Sequence, residues 1–88
     1  MLDRAPVPSA SERIRELEQR VAARVREARK AAGMSQETVA AALDLSFQQV
    51  QKYENGKNRI SPGKLMVLAE LFGRDIAWFF STAEATDV

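Results

Sequence analysis

Apolar positions recur along this chain at three- and four-residue steps, the period of a helix, and not at the two-residue alternation of a half-buried strand. Ile14, Leu17, Val21, Val25 and Ala28 form one stripe, which predicts a helix running to about Ala32. Its length is roughly 22 residues, or ~33 Å at 1.5 Å per residue. Ser9 followed by Glu12 fits a capping box at its start, Glu16 and Arg20 form a favourable i,i+4 pair, and Gly33 is the expected stop. A second stripe, Val39, Ala40 and Leu43, follows the N-cap residue Ser35. Asp44, Leu45 and the second N-cap Ser46 interrupt it. Val50, Tyr53 and Glu54 then resume helical spacing before Asn55 and Gly56 end the helix. Each of these two helices has only about two turns, too few to be stable without packing on neighbours. Ser61 and Pro62 open a fourth helix, with Leu65, Leu68, Ala69 and Phe72 as its buried face and Gly73 as its end. Asp75 caps a last short helix from Ile76 to about Phe80. The expected fold is all-α, with five helices and an extended first helix.

The 88 residues suffice for one domain with its own core. Residues 1–8, with Pro6 and Pro8 and no periodicity, read as a flexible leader. Residues 9–80 read as the folded domain, and residues 81–88 as a small, polar tail. With so little chain after Phe80, no effector domain is expected within it. No apolar run approaches the ~20 residues of a membrane span, and the first residues lack the apolar core of a signal peptide. A cytoplasmic location fits.

Composition removes whole classes of chemistry. The chain has no cysteine and no histidine, hence no disulfide framework, no thiolate metal site and neither the commonest general base nor the commonest metal ligand. No carboxylate or lysine constellation replaces them, so no catalytic residue, metal site or cofactor is expected. Net charge is only +1, but it is unevenly spread: residues 1–34 carry eight basic against five acidic side chains, and residues 35–88 five against seven. Any affinity for phosphates must come from one face and not from the total.

The third helix carries the most specific pattern. Its first turn is Phe47, Gln48 and Gln49, with Gln51 and Lys52 one turn on. Glutamine amides can bond bidentately to adenine N6 and N7 in a DNA major groove. Gln51 lies roughly 300° from Gln48 at 100° per residue and so shares its face. These glutamines could equally be solvated helix residues. Lys52 has two readings, as a base or phosphate contact and as plain surface lysine. Phe47 also has two, as a contact to thymine methyls and as a side chain packed over the turn. Gln36 stands at the first position of the second helix, where free backbone N–H groups favour anions. The loop of Asn55, Gly56, Lys57 and Arg59 offers further donors. The front of the first helix stays open between an extension folded on its own domain, a dimer contact through Ile14, Leu17 and Val21, and a solvated helix. Trp78, Phe79 and Phe80 are consecutive, so they cannot all face one core.

Several blocks in order resemble the Cro/CI-type phage-repressor (XRE) helix-turn-helix family. Residues 24–36, RVREARKAAGMSQ, resemble its first helix and turn, and QETVA at 36–40 is similar to its second helix. VQKYENGK at 50–57 resembles the end of its recognition helix and the next loop, and GRDIAWFF at 73–80 its closing helix. The resemblance covers about residues 20–80. It implies a lambda-repressor-like five-helix domain that binds double-stranded DNA as a homodimer, usually as a repressor or activator. By the same resemblance, Phe47, Gln48, Gln49, Gln51 and Lys52 face bases, and Gln36, Ser46, Asn55, Gly56, Lys57 and Arg59 face the DNA backbone. Arg29 and Glu54 resemble the family's structural ion pair, and the family dimerises near Trp78 and Phe80; Ile14 and Leu17, outside the resemblance, are further dimer candidates from the apolar stripe alone. The family's turn usually carries glycine where this chain has Asp44, a residue that tolerates the left-handed conformation better than most. An autorepressing antitoxin and a protein-interaction module that has lost DNA binding are the competing expectations.

Overall fold

Serine or aspartate side chains begin every helical element of the protein. The computed structural model describes residues 9–82. Helix α1 spans Ala10–Ala31, and Ser9 completes a reciprocal capping box with Glu12. Helices α2 (Gln36–Leu43), α3 (Phe47–Glu54) and α4 (Pro62–Phe72) start from Ser35, Ser46 and Ser61. In each, the serine Oγ accepts a backbone N–H three residues on, at 3.0 to 3.2 Å. The leader and residues 83–88 of the tail lie outside the described residues.

The closing element differs from the expected fifth α-helix. Ile76–Phe80 is a five-residue 3₁₀ turn, so the described residues contain four α-helices and no strand. Its bonds run from Trp78 N–H to Asp75 O at 3.0 Å and from Ser81 N–H to Trp78 O at 3.1 Å. Five residues are too few for an α-helical ladder, and the tighter winding spaces side chains about 120° apart. The three aromatics therefore point three ways. Phe79 is fully buried, Trp78 half-buried and Phe80 exposed.

Phe79 closes the core from below Val21, Val25 and Ala28 of α1, Val39 and Ala40 of α2, Val50 of α3, and Leu65, Leu68 and Ala69 of α4. Every short helix thus gives one apolar strip to a common centre, the tertiary support that two-turn helices require. Between α2 and α3 the chain reverses at Asp44, with φ 59° and ψ 43°. The left-handed residue is thus an aspartate, and the turn keeps its form.

The stripe on α1 divides in two. From Val21 onward it is core, whereas Leu17 is half-buried and Ile14 is 47% exposed. The front turns of α1 project beyond the body and flank a groove described below.

Candidate nucleic-acid interface

Helix α3 has two opposed faces. Val50, Tyr53 and Glu54 are buried, while Gln48, Gln51, Lys52 and Asn55 are exposed. The exposed four fall at i, i+3, i+4 and i+7, one continuous strip of a 3.6-residue helix. Gln49 is half-buried on the flank of this strip. Phe47 lies on the opposite flank, packed against the core. Of its two sequence readings the structure has the packing one, so the outward strip is made of amides and one ammonium. A helix turned this way presents both donors and acceptors, the pattern needed to distinguish base edges.

The far end of α3 is fixed by a charge network. Arg29 donates from Nε to Glu54 Oε2 at 2.7 Å and from Nη2 to Oε1 at 3.1 Å. The side chains are only 11% and 2% exposed. Arg29 Nη1 also donates to Met34 O at 3.0 Å, so the pair ties α1, the turn after it and α3 together. Its hydrogen bonds to Glu54 raise the Arg29 pKa above its ordinary value, burial opposes this, and the Glu54 and Glu37 charges add to the rise. A raised folded-state value means that the arginine's contribution is fully present below the ordinary arginine pKa and is lost only in strong alkali.

Gln36 belongs to the same network. Its Nε2 donates to Glu54 Oε1 at 3.0 Å, and the residue is half-buried. Glu54 has acceptor capacity left after Arg29 binds it, and the bond uses one of the two N–H groups of the Gln36 amide. Ser46 Oγ similarly accepts the Gln49 N–H as a cap. The loop residues Asn55, Lys57 and Arg59 are exposed, and Gly56 adopts φ +71°. Arg59 pairs with Glu18 on α1, its Nε 3.1 Å from Glu18 Oε2.

The expected dimer residues separate. Ile14, Leu17 and Phe80 line one groove of about 440 Å³, together with Tyr53, Ile60 and Leu65. Phe80 is 41% exposed. Trp78 does not join them, because its ring lies between the Arg24 guanidinium at 4.4 Å and that of Arg74 at 4.0 Å. Cations stacked on an indole are favourable and cover part of its aromatic surface. Its buried Nε1 has no acceptor among the described residues.

Arg24 escaped the sequence reading. It is only 3% exposed and bonds Glu27, the carbonyl oxygens of Ser81 and Thr82, and the Ser81 hydroxyl. One signal was available: Val21, Arg24, Val25 and Ala28 stand at i, i+3, i+4 and i+7, so Arg24 sits in the buried stripe. Among the described residues no cluster of acidic side chains could hold a metal ion, and no helix is long and apolar enough to cross a membrane.

The comparisons with known proteins agree with this architecture. The helix-turn-helix family model matches residues 25–79. An uncharacterized transcriptional regulator in the ATPase CF(0) region of Rhodospirillum rubrum is 43% identical over 74 residues, which cover 84% of this chain and 68% of the relative. An uncharacterized HTH-type transcriptional regulator of Rickettsia conorii is 45% identical over 56 residues, covering 64% of this chain and 45% of the relative. The chain thus spans less than half the length of that second relative. The crystal structure of the clp gene regulator ClgR from C. glutamicum superposes with a TM-score of 0.66 at 22% identity, over 72% of this chain and 82% of that one, a likeness of fold.

Proposed function

This chain belongs to the XRE-type (Cro/CI) helix-turn-helix family, and on that premise we propose that it is a transcriptional regulator that represses by binding a pseudo-palindromic operator as a homodimer. Residues 9–80 form the DNA-binding unit. The observation that carries this reading is the outward strip of Gln48, Gln51, Lys52 and Asn55 on a helix whose other face is locked into the core. Helix α3 enters the major groove with Gln48 leading, and Gln49 reaches base edges from the flank. Lys57 and Arg59 bind phosphates beside it. A second copy packs through the groove around Ile14, Leu17 and Phe80, where two exposed apolar side chains stand together.

Two-fold symmetry sets the expected operator. Half-sites should lie about one helical turn apart, roughly 10 base pairs. Selection of bound sequences from a random duplex pool should return an inverted repeat with that spacing. Enrichment of a single unrepeated site would remove the homodimer from the proposal, and an unenriched pool would remove sequence-specific reading altogether.

A further inference from the structure

The front half of α1 touches the loop after α3 at two consecutive residues. Glu18 Oε2 forms an ion pair with Arg59, 3.1 Å from its Nε, on side chains 39% and 80% exposed. Gln19 directs its side-chain amide at Gly56: Nε2 lies 3.4 Å from Gly56 O, and a Cβ added at Gly56 would stand 2.6 Å from Nε2 and 2.7 Å from Oε1. These contacts join positions 37 and 41 residues apart in sequence, and both fall on the segment that carries Lys57 and Arg59. Resting on the DNA-binding reading above, we propose that Glu18 and Gln19 are positioning residues for the phosphate contacts, bracing the Gly56 and Arg59 ends of the loop against α1.

The chemistry of Arg59 supports this use. A guanidinium has five N–H donors in a rigid fork, and the Glu18 carboxylate sits on its Nε side. The edge formed by the two Nη groups stays available for bidentate contact with a phosphate. An arginine on an open loop otherwise loses rotamer freedom on binding, a cost that prior orientation reduces. At the other end, Gly56 has φ +71°, and the absence of a Cβ is what lets Gln19 lie on its backbone. An exposed ion pair of this kind adds little to folding stability, so its consequence falls on binding geometry.

The sign of one substitution separates the brace from simple electrostatics. Removing a carboxylate near a DNA-binding surface relieves repulsion with phosphates and should tighten binding. The brace predicts the reverse. Glu18→Ala should weaken binding to a duplex roughly three- to tenfold, from lost orientation of one charged hydrogen-bond donor. Glu70→Ala, the same charge change on the exposed face of α4, should not weaken it. Glu18→Asp, which keeps the carboxylate, should recover part of the loss. In an Arg59→Ala background Glu18→Ala should have no further effect, and thermal melts of all variants should stay close to wild type.

In the free protein, amide exchange at Lys57 and Asn58 should quicken in Gln19→Ala. Wild-type protein that binds no duplex would overturn the DNA reading itself. Wild-type protein that binds, together with Glu18→Ala that binds as tightly or more tightly, would overturn the brace alone.

Discussion

Glu54→Ala should lower the stability of the domain by about 3–5 kcal/mol, the range for breaking a buried charge pair by removing one partner. Three donors converge on this carboxylate, two from Arg29 and one from Gln36. With the carboxylate gone, the Arg29 guanidinium stays in a site only 11% exposed without its counter-ion. The Gln36 amide also loses its acceptor. For a domain of this size about 1 kcal/mol corresponds to roughly 4–8 °C, so the melting temperature should fall by more than about 12 °C. Replacing both charges with apolar residues of similar volume, as in Arg29→Met/Glu54→Leu, should cost much less, because no unpaired charge remains. A Glu54→Ala melt within about 2 °C of wild type would show that the network does not hold α3 in place.

Gln48→Ala should weaken binding to a selected operator by about 1–3 kcal/mol for each half-site it occupies, the worth of one bidentate amide–base contact. That is roughly tenfold to a hundredfold per half-site. Binding to random duplex should change little, since phosphate contacts supply that term and Gln48 supplies none. Gln49→Ala should cost less than Gln48→Ala, because Gln49 lies half-buried on the flank of the strip while Gln48 is exposed at its leading end. Competition binding with operator and scrambled duplex measures both effects. Equal losses on the two duplexes would assign Gln48 to general adhesion and not to sequence reading.

How far this molecule can be read from its residues depends on the distance over which each contact acts. The caps at Ser9, Ser35, Ser46, Ser61 and Asp75 are all legible, because an N-cap side chain meets a backbone N–H only two or three residues away. The left-handed turn at Asp44 is similarly local. The core strip from Val21 to Ala28 follows from period alone.

The last element was misread as an α-helix because five residues show no period that distinguishes α from 3₁₀ winding. Arg24 looks like any charged helix residue until the carbonyls of Ser81 and Thr82, 57 and 58 residues later, arrive over it. Trp78 admitted both a partner contact and packing under α1, and nothing in its neighbourhood along the chain announces the guanidinium of Arg24, 4.4 Å from its ring. Gln36 carried a local signal for an anion site, and nothing near it in sequence announces that one of its amide N–H groups reaches Glu54 at 3.0 Å. The outward strip of α3 was thus legible from helical spacing and the Arg29–Glu54 pair from the family resemblance, whereas Gln36 as its third member was not.

The account stands most directly on one titration of wild-type protein against labelled random duplex, followed by fluorescence polarisation from about 50 to 200 mM salt. A pair of helix-turn-helix units that each neutralise several phosphates should bind at low salt and lose on the order of 10³-fold in affinity across that range. Absence of binding at about 50 mM salt, or an affinity that does not respond to salt, would contradict the assignment of the α3 strip and its loop to DNA.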